Sequence, residues 1–224
     1  MPKIFILLIS SLLLACQTET TPTTVELPAK LAIDSLTQQP TPEPNFQNGD
    51  IIFHSSNSAQ SKAIQLATNS PYSHVGIIYI ENEQVQVFEA VQPVKLTPIK
   101  DWINRGEGGH YVVKRLKNAA TILTEEALQK MKDVGTPYLG KNYDIYFNWS
   151  DDKIYCSELV WKIYKKALNV ELGKLQKFGD FNLSLPIVQQ KLKERYGDKI
   201  PLEEPIISPA AIFASEELLT VMEN

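Results

Sequence analysis

The chain has 224 residues, with 43% apolar and 21% charged side chains and a formal net charge of −4. That length suits one domain and falls short of two comfortable ones, and the composition is ordinary for a globular protein. The mild acidity excludes the basic footprint of a nucleic-acid binder. His54, His74 and His110 lie far apart in sequence, and no His/Cys cluster has metal-ligand spacing, so neither a metal nor a cofactor is expected.

Met1-Pro2-Lys3 carries one positive charge, and Ile4 to Leu14 is almost wholly apolar. That run is too short to span a bilayer as a helix and fits a secretory h-region. It ends in Leu13-Leu14-Ala15-Cys16, which resembles the bacterial lipobox, where the cysteine becomes the lipidated first residue of the mature protein. Residues 1–15 are therefore expected to be a lipoprotein signal peptide, with Cys16 holding the protein to a membrane of the bacterial cell envelope. More than one acyl chain makes such anchoring stable. Gln17, where an aspartate would favour inner-membrane retention, points to the outer membrane and a periplasm-facing domain in a Gram-negative cell. Residues 16–45 are rich in Thr, Pro, Gln and Glu and read as a disordered tether.

The folded domain is expected over 46–224. Gly49 to His54 reads as a first strand, and Ser58 to Thr68 as a helix broken by Asn69-Ser70-Pro71. Ser73 to Ile80 is the clearest strand. Gln84 to Val91 alternates and should pair with it antiparallel across a turn at Glu81-Asn82-Glu83. Val94 to Thr97 extends the sheet, Ile99 to Asn104 makes a helical turn, and Gly109 to Leu116 is a further strand. Thr124 caps a helix to Val134, ended by Gly135 and Pro137. Tyr138 to Lys153 is an aromatic, polar loop. Helices follow at Cys156–Leu168, Leu185–Tyr196 and Ser208–Ala214, the last with Ser208 as N-cap and Pro209 at its first position. Antiparallel strands followed by helices give an α+β domain.

The chemistry centres on Cys156. Leu159, Val160, Ile163, Tyr164, Ala167 and Leu168 form one apolar helical stripe after it, and Ser150, Asp151 and Asp152 offer capping side chains before it. The first turn of a helix favours a thiolate, the form a nucleophile needs. Position alone fits a small buried residue equally well. With Cys16 lipidated, however, Cys156 has no disulfide partner, and a lone thiol in an exported protein points to function. A cysteine nucleophile needs a base and the base an orienting group. His74 opens the strongest strand. A hairpin turning about Asn82 sets it opposite position 90, beside Glu89, with the register deciding which face Glu89 uses. The competing role for Glu89 is pairing with Lys95 or Lys114. Lys141, Tyr143 and Asp144 are placed to shape a cleft, while Tyr155, Trp149 and Trp161 read as packing residues.

Gly49-Asp50-Ile51-Ile52-Phe53, Tyr72-Ser73-His74-Val75-Gly76-Ile77, Phe88-Glu89-Ala90 and Tyr155-Cys156-Ser157-Glu158-Leu159-Val160 together resemble the YiiX-type cysteine hydrolases, relatives of the NlpC-type cell-wall peptidases. Gly140 to Asp144 and Ile207-Ser208-Pro209 add to the likeness. It implies a circularly permuted papain-like domain whose histidine strand precedes its cysteine helix. It also implies Cys156 as nucleophile, His74 as general base and Glu89 as the group orienting it. The leading expectation is an amidase or peptidase acting on cell-wall peptides. An acyl hydrolase or acyltransferase on lipid, and a non-catalytic lipoprotein binding amino acids or peptides, are the alternatives. The oligomeric state stays open.

Overall fold

The computed structural model describes residues 45–224. The expected signal peptide, Cys16 and nearly all of the expected tether lie outside the described residues.

The sheet is built from β1 (Ile51–His54), β2 (His74–Glu81), β3 (Gln84–Glu89), β4 (Lys95–Pro98), β5 (Val112–Leu116) and β8 (Leu218–Glu223). Their order is β4-β3-β2-β1-β5-β8, antiparallel throughout. Between them lie α1 (Ala59–Thr68), α2 (Ile99–Asn104), α3 (Ala119–Ile122), α4 (Glu125–Gly135), α5 (Cys156–Leu168), α6 (Pro186–Tyr196) and α7 (Pro209–Phe213), with a two-stranded ladder of β6 (Gln176–Lys177) and β7 (Pro205–Ile206). The α+β expectation holds. β8 and the β6–β7 ladder were not anticipated: the ladder strands have two residues each, and β8 shows no clean apolar alternation.

Strand alternation sorts the sheet into two buried faces. Ile51, Phe53, Val75, Ile77, Tyr79 and Phe88 share the larger core with Leu159, Val160, Ile163 and Tyr164 of α5 and Met131 of α4. Ile52, Ile78, Val87 and Val113 form the other face, closed by Trp102 of α2 and Tyr111. α5 therefore lies across one side of the sheet and α2 covers the other. The helix starts follow local chemistry: Ser58, Thr124 and Ser208 accept from Ser61, Ala127 and Ala211 backbone N–H groups at 3.1, 3.2 and 3.0 Å.

The β2–β3 register pairs Ile77 with Phe88 and Glu81 with Gln84. This is one step from the expected pairing. It sets Gly76, not Val75, across from Glu89, so Glu89 shares a face with His74 two residues along. Gly76 makes the meeting possible. A Cβ there would overlap the Val87 side chain and stand 3.0 Å from the Phe88 carbonyl oxygen. Gly76→Ala is expected to lower stability by about 1–3 kcal/mol in urea unfolding, as overpacking does, and to push Glu89 off His74.

Candidate active site

Cys156 is the first residue of α5 and is 2% exposed. The helix starts where expected, but the expected residues do not cap it. Tyr155 is the N-cap residue, and the Glu158 carboxylate reaches back to its N–H at 3.4 Å. Asp151 instead takes Lys162 Nζ at 2.8 Å, Lys166 Nζ at 3.0 Å and the Tyr138 hydroxyl at 2.9 Å. It ties the loop to the flank of α5 rather than capping its end.

His74 opens β2, and its ring meets Cys156 at the end of the sheet. The thiol stands beside the His74 side chain and the backbone N–H groups of Val75 and Ser157, all of which favour its charged form. Burial favours the neutral thiol, but the His74 side chain and the two N–H groups outweigh it and bring the Cys156 pKa below 9.0. His74 shows the reciprocal effect. Burial works against its charge, yet Cys156 and then Glu89 raise its pKa to about 9.

Glu89, fully buried, holds the other side of the ring, with His74 Nε2 2.6 Å from its Oε2. Its Oε1 accepts from the Thr97 hydroxyl at 2.6 Å and from the Arg105 guanidinium. Burial would raise its pKa, but the His74 hydrogen bond and charge, Thr97 and Arg105 bring it to about 2. Neither expected competitor engages it. Lys95 pairs with it only along the backbone, and Lys114 Nζ donates to the Phe213 carbonyl.

Several neighbours were not legible beforehand. His54 stands across from His74 in the β1–β2 pairing and stacks on Trp102, ring centroids 3.9 Å apart. Burial, then the charges of His74 and Arg105, drive its pKa down to about 2, and its Nδ1 has no hydrogen-bond partner among the described residues. It is a neutral plate behind the His74–Glu89 pair. Tyr143, expected to shape the cleft, lines it beside Cys156, and burial and the nearby thiol raise the pKa of its hydroxyl. Asp144 accepts from the Tyr146 and Asn148 N–H groups and shapes the loop. Lys141 turns away to the Asp151 carbonyl. The Tyr155 hydroxyl accepts from Ile207 N–H at 3.2 Å, consistent with a packing role.

Cys156 lies on the wall of a cleft of about 730 Å³. Ile64, Ala67, Phe147, Phe178, Leu183 and Leu192 make much of its lining.

A cysteine at a helix start facing a histidine on an antiparallel sheet defines a papain-like site, here with the histidine strand first in the chain. The sequence pattern of the family described as permuted papain-like amidases, YaeF/YiiX, C92 family, matches residues 45–222, and the chain belongs to that family. It is 54% identical over 178 residues to the uncharacterized protein YiiX of Escherichia coli K12, covering 80% of this chain and 87% of that one. It is similar also to a crystal structure described as metalloprotein YiiX from Escherichia coli O157:H7, with 54% identity and a TM-score of 0.76, covering 80% of this chain and 97% of that one. Among the described residues here, no group of three or more His, Cys, Asp or Glu side chains is placed to hold a metal.

Two outcomes follow from the charges. Cys156 is expected to react with iodoacetamide well below the free-thiol pKa of about 8.5, and His74→Ala to move that reactivity up toward it. An unmoved profile in the variant would refute the Cys–His pair. His54 has a folded pKa below its ordinary 6.5, so its contribution to stability is present above pH 6.5 and is lost as pH falls. His54→Gln should therefore gain on the native protein as pH drops below 6.5, by up to about 1.4 kcal/mol per pH unit, in urea melts run across that range.

Proposed function

We propose that the protein is a cysteine amidase in which Cys156 is the nucleophile, His74 the general base and acid, and Glu89 the group that orients His74. The observation that carries this reading is the His74 ring held 2.6 Å from the buried Glu89 carboxylate, with the Cys156 thiol as its electrostatic partner.

Cys156 attacks the amide carbonyl as thiolate, and the proton it has given up resides on His74. The carbonyl oxygen becomes an oxyanion. Backbone N–H groups at the start of α5, that of Cys156 among them, and the Tyr143 hydroxyl are the donors at hand. The His74 imidazolium then gives its proton to the leaving nitrogen as the C–N bond breaks, leaving a thioester on Cys156. A water deprotonated by His74 hydrolyses that thioester, releasing the acid and restoring the pair. Glu89 keeps one tautomer and one ring orientation throughout, and Thr97 and Arg105 keep Glu89 ionised.

The cleft lining favours a particular kind of amide. Its phenylalanines and aliphatic residues suit an apolar acyl group better than a polar cell-wall peptide. This supports a second reading, an acyl hydrolase or acyltransferase on lipid, which would use the same thioester. A purely binding role has no need of a thiol, imidazole and carboxylate in line. Envelope attachment through Cys16 completes the proposal and would bring lipid and cell-wall substrates alike within reach.

The test is a set of fluorogenic N-acyl amides of rising chain length, run beside purified cell-wall peptides and glycerolipids. Longer acyl chains are expected to lower KM. Cys156→Ala should abolish turnover, and His74→Ala should lower kcat by about 10²–10⁴-fold. Cleavage of cell-wall peptides alone would return the substrate to the wall. Undiminished turnover in Cys156→Ala would end the assignment.

A further inference from the structure

The apolar lining of the cleft does not account for one residue on its wall. Arg195, near the end of α6, lines it together with Lys191 one turn earlier. The two cations differ in their partners. Lys191 pairs with Glu194 on its own helix. Arg195 makes no ion pair among the described residues. It donates to Gln60 Oε1 at 2.7 Å, and its guanidinium lies 5.1 Å from the centre of the Phe147 ring. Both partners are neutral.

A guanidinium carries five N–H donors in a planar fork. Here one hydrogen bond engages it, in a half-buried position beside hydrocarbon. Low-dielectric surroundings strengthen its pull on an anion and make an uncompensated charge costly. The other cation of the site, His74, is already matched by Glu89. Arg195 is also coupled to the centre of the site. Gln60, which accepts from it, donates to the Tyr143 hydroxyl at 3.4 Å, and Tyr143 lines the cleft beside Cys156.

We propose that Arg195 sets the charge class of the substrate. The molecule that fills this cleft carries an anionic oxygen group, a carboxylate or a phosphate, which docks on the Arg195 guanidinium while the apolar part lies along Phe147, Phe178 and Leu192. Arginine suits either group because its fork matches two oxygens at once. The inference rests on the reading of this cleft as the substrate site and adds the charge that the substrate must bear.

The test reads binding apart from turnover. The full chain carrying Cys156→Ser is titrated calorimetrically with decanoate, decyl phosphate and decanamide. At least one anion is expected to bind about tenfold or more tighter than the amide, the order of a charge-assisted hydrogen bond, with the margin shrinking as salt is raised. A margin for decanoate alone assigns a carboxylate, and one for decyl phosphate alone a phosphate ester. In Arg195→Gln the margin should vanish, and in Arg195→Lys it should narrow but persist. Should Arg195→Gln fail to fold, the lysine variant decides the matter: a margin equal to the native one overturns the proposal. Equal affinity for anion and amide, no binding of either anion, or a margin that survives in Arg195→Gln through the His74 charge would each overturn it. Because the tested chain is inert, a failure here is separate from a failure of the amidase reading.

Discussion

The arrangement of this site depends on one buried carboxylate. Glu89 is fully enclosed between the sheet and α2, and a lone ionised carboxylate in that position would be strongly disfavoured. It is kept ionised by three donors from three places: His74 at the start of β2, Thr97 on β4 and Arg105 just after α2. Each donor also gains from it. His74 acquires a fixed ring orientation, β4 is locked to β3 through a side chain as well as its ladder, and the α2 segment is held against the sheet. Removing the carboxylate would leave a histidine, a hydroxyl and a guanidinium without their shared acceptor. The candidate chemistry of Cys156 thus depends on a residue on the opposite face of the sheet from the helix that carries it.

The register of the hairpin transmits that dependence. Were β3 shifted by one residue, Glu89 would exchange faces with Phe88 and point into the larger core beside Val75 and Ile77, away from Thr97 and Arg105. Gly76 removes the side chain that would stand between Glu89 and His74, and Val87 occupies the space so vacated. On the other side of the sheet, Asp151 gathers Lys162, Lys166 and Tyr138, so that the loop bearing Tyr143 and Phe147 is fastened to α5. Candidate nucleophile, base and cleft wall are therefore braced separately and meet only at the end of the sheet.

Much of this was legible in the sequence. Where a feature writes a period into the chain, it could be read: the α5 stripe, the β2–β3 alternation, and the Thr124 and Ser208 caps. Glu89 stood out as a carboxylate on an apolar face, and Cys156 and His74 because they open the helix and the strand that those patterns mark. What escaped has no local signature. His54 is one polar residue at a strand end, and only the β1–β2 pairing shows that it backs His74. Arg105 follows a short helix whose packing on the sheet is a tertiary event. Gln60 and Arg195 lie far apart on α1 and α6 and meet only when those helices pack. Asp151 was read as a cap because capping is the nearest local use of an aspartate before a helix. Its partners were present at Lys162 and Lys166, spaced to share one face of α5, but that pairing competes with local capping only once the loop is folded back.

The near-complete enclosure of Cys156 has a bearing on chemical durability. A thiolate-prone cysteine is the form that peroxides oxidise first, and the damage becomes irreversible when no second thiol resolves the sulfenic acid. The sequence holds one other cysteine, Cys16, and none within residues 45–224. Nothing in the folded domain can therefore rescue an oxidised Cys156 by forming a disulfide. With 2% of the residue exposed, an oxidant meets the sulfur through the same cleft that a substrate enters. The fold thus protects its only thiol by restricting access to it.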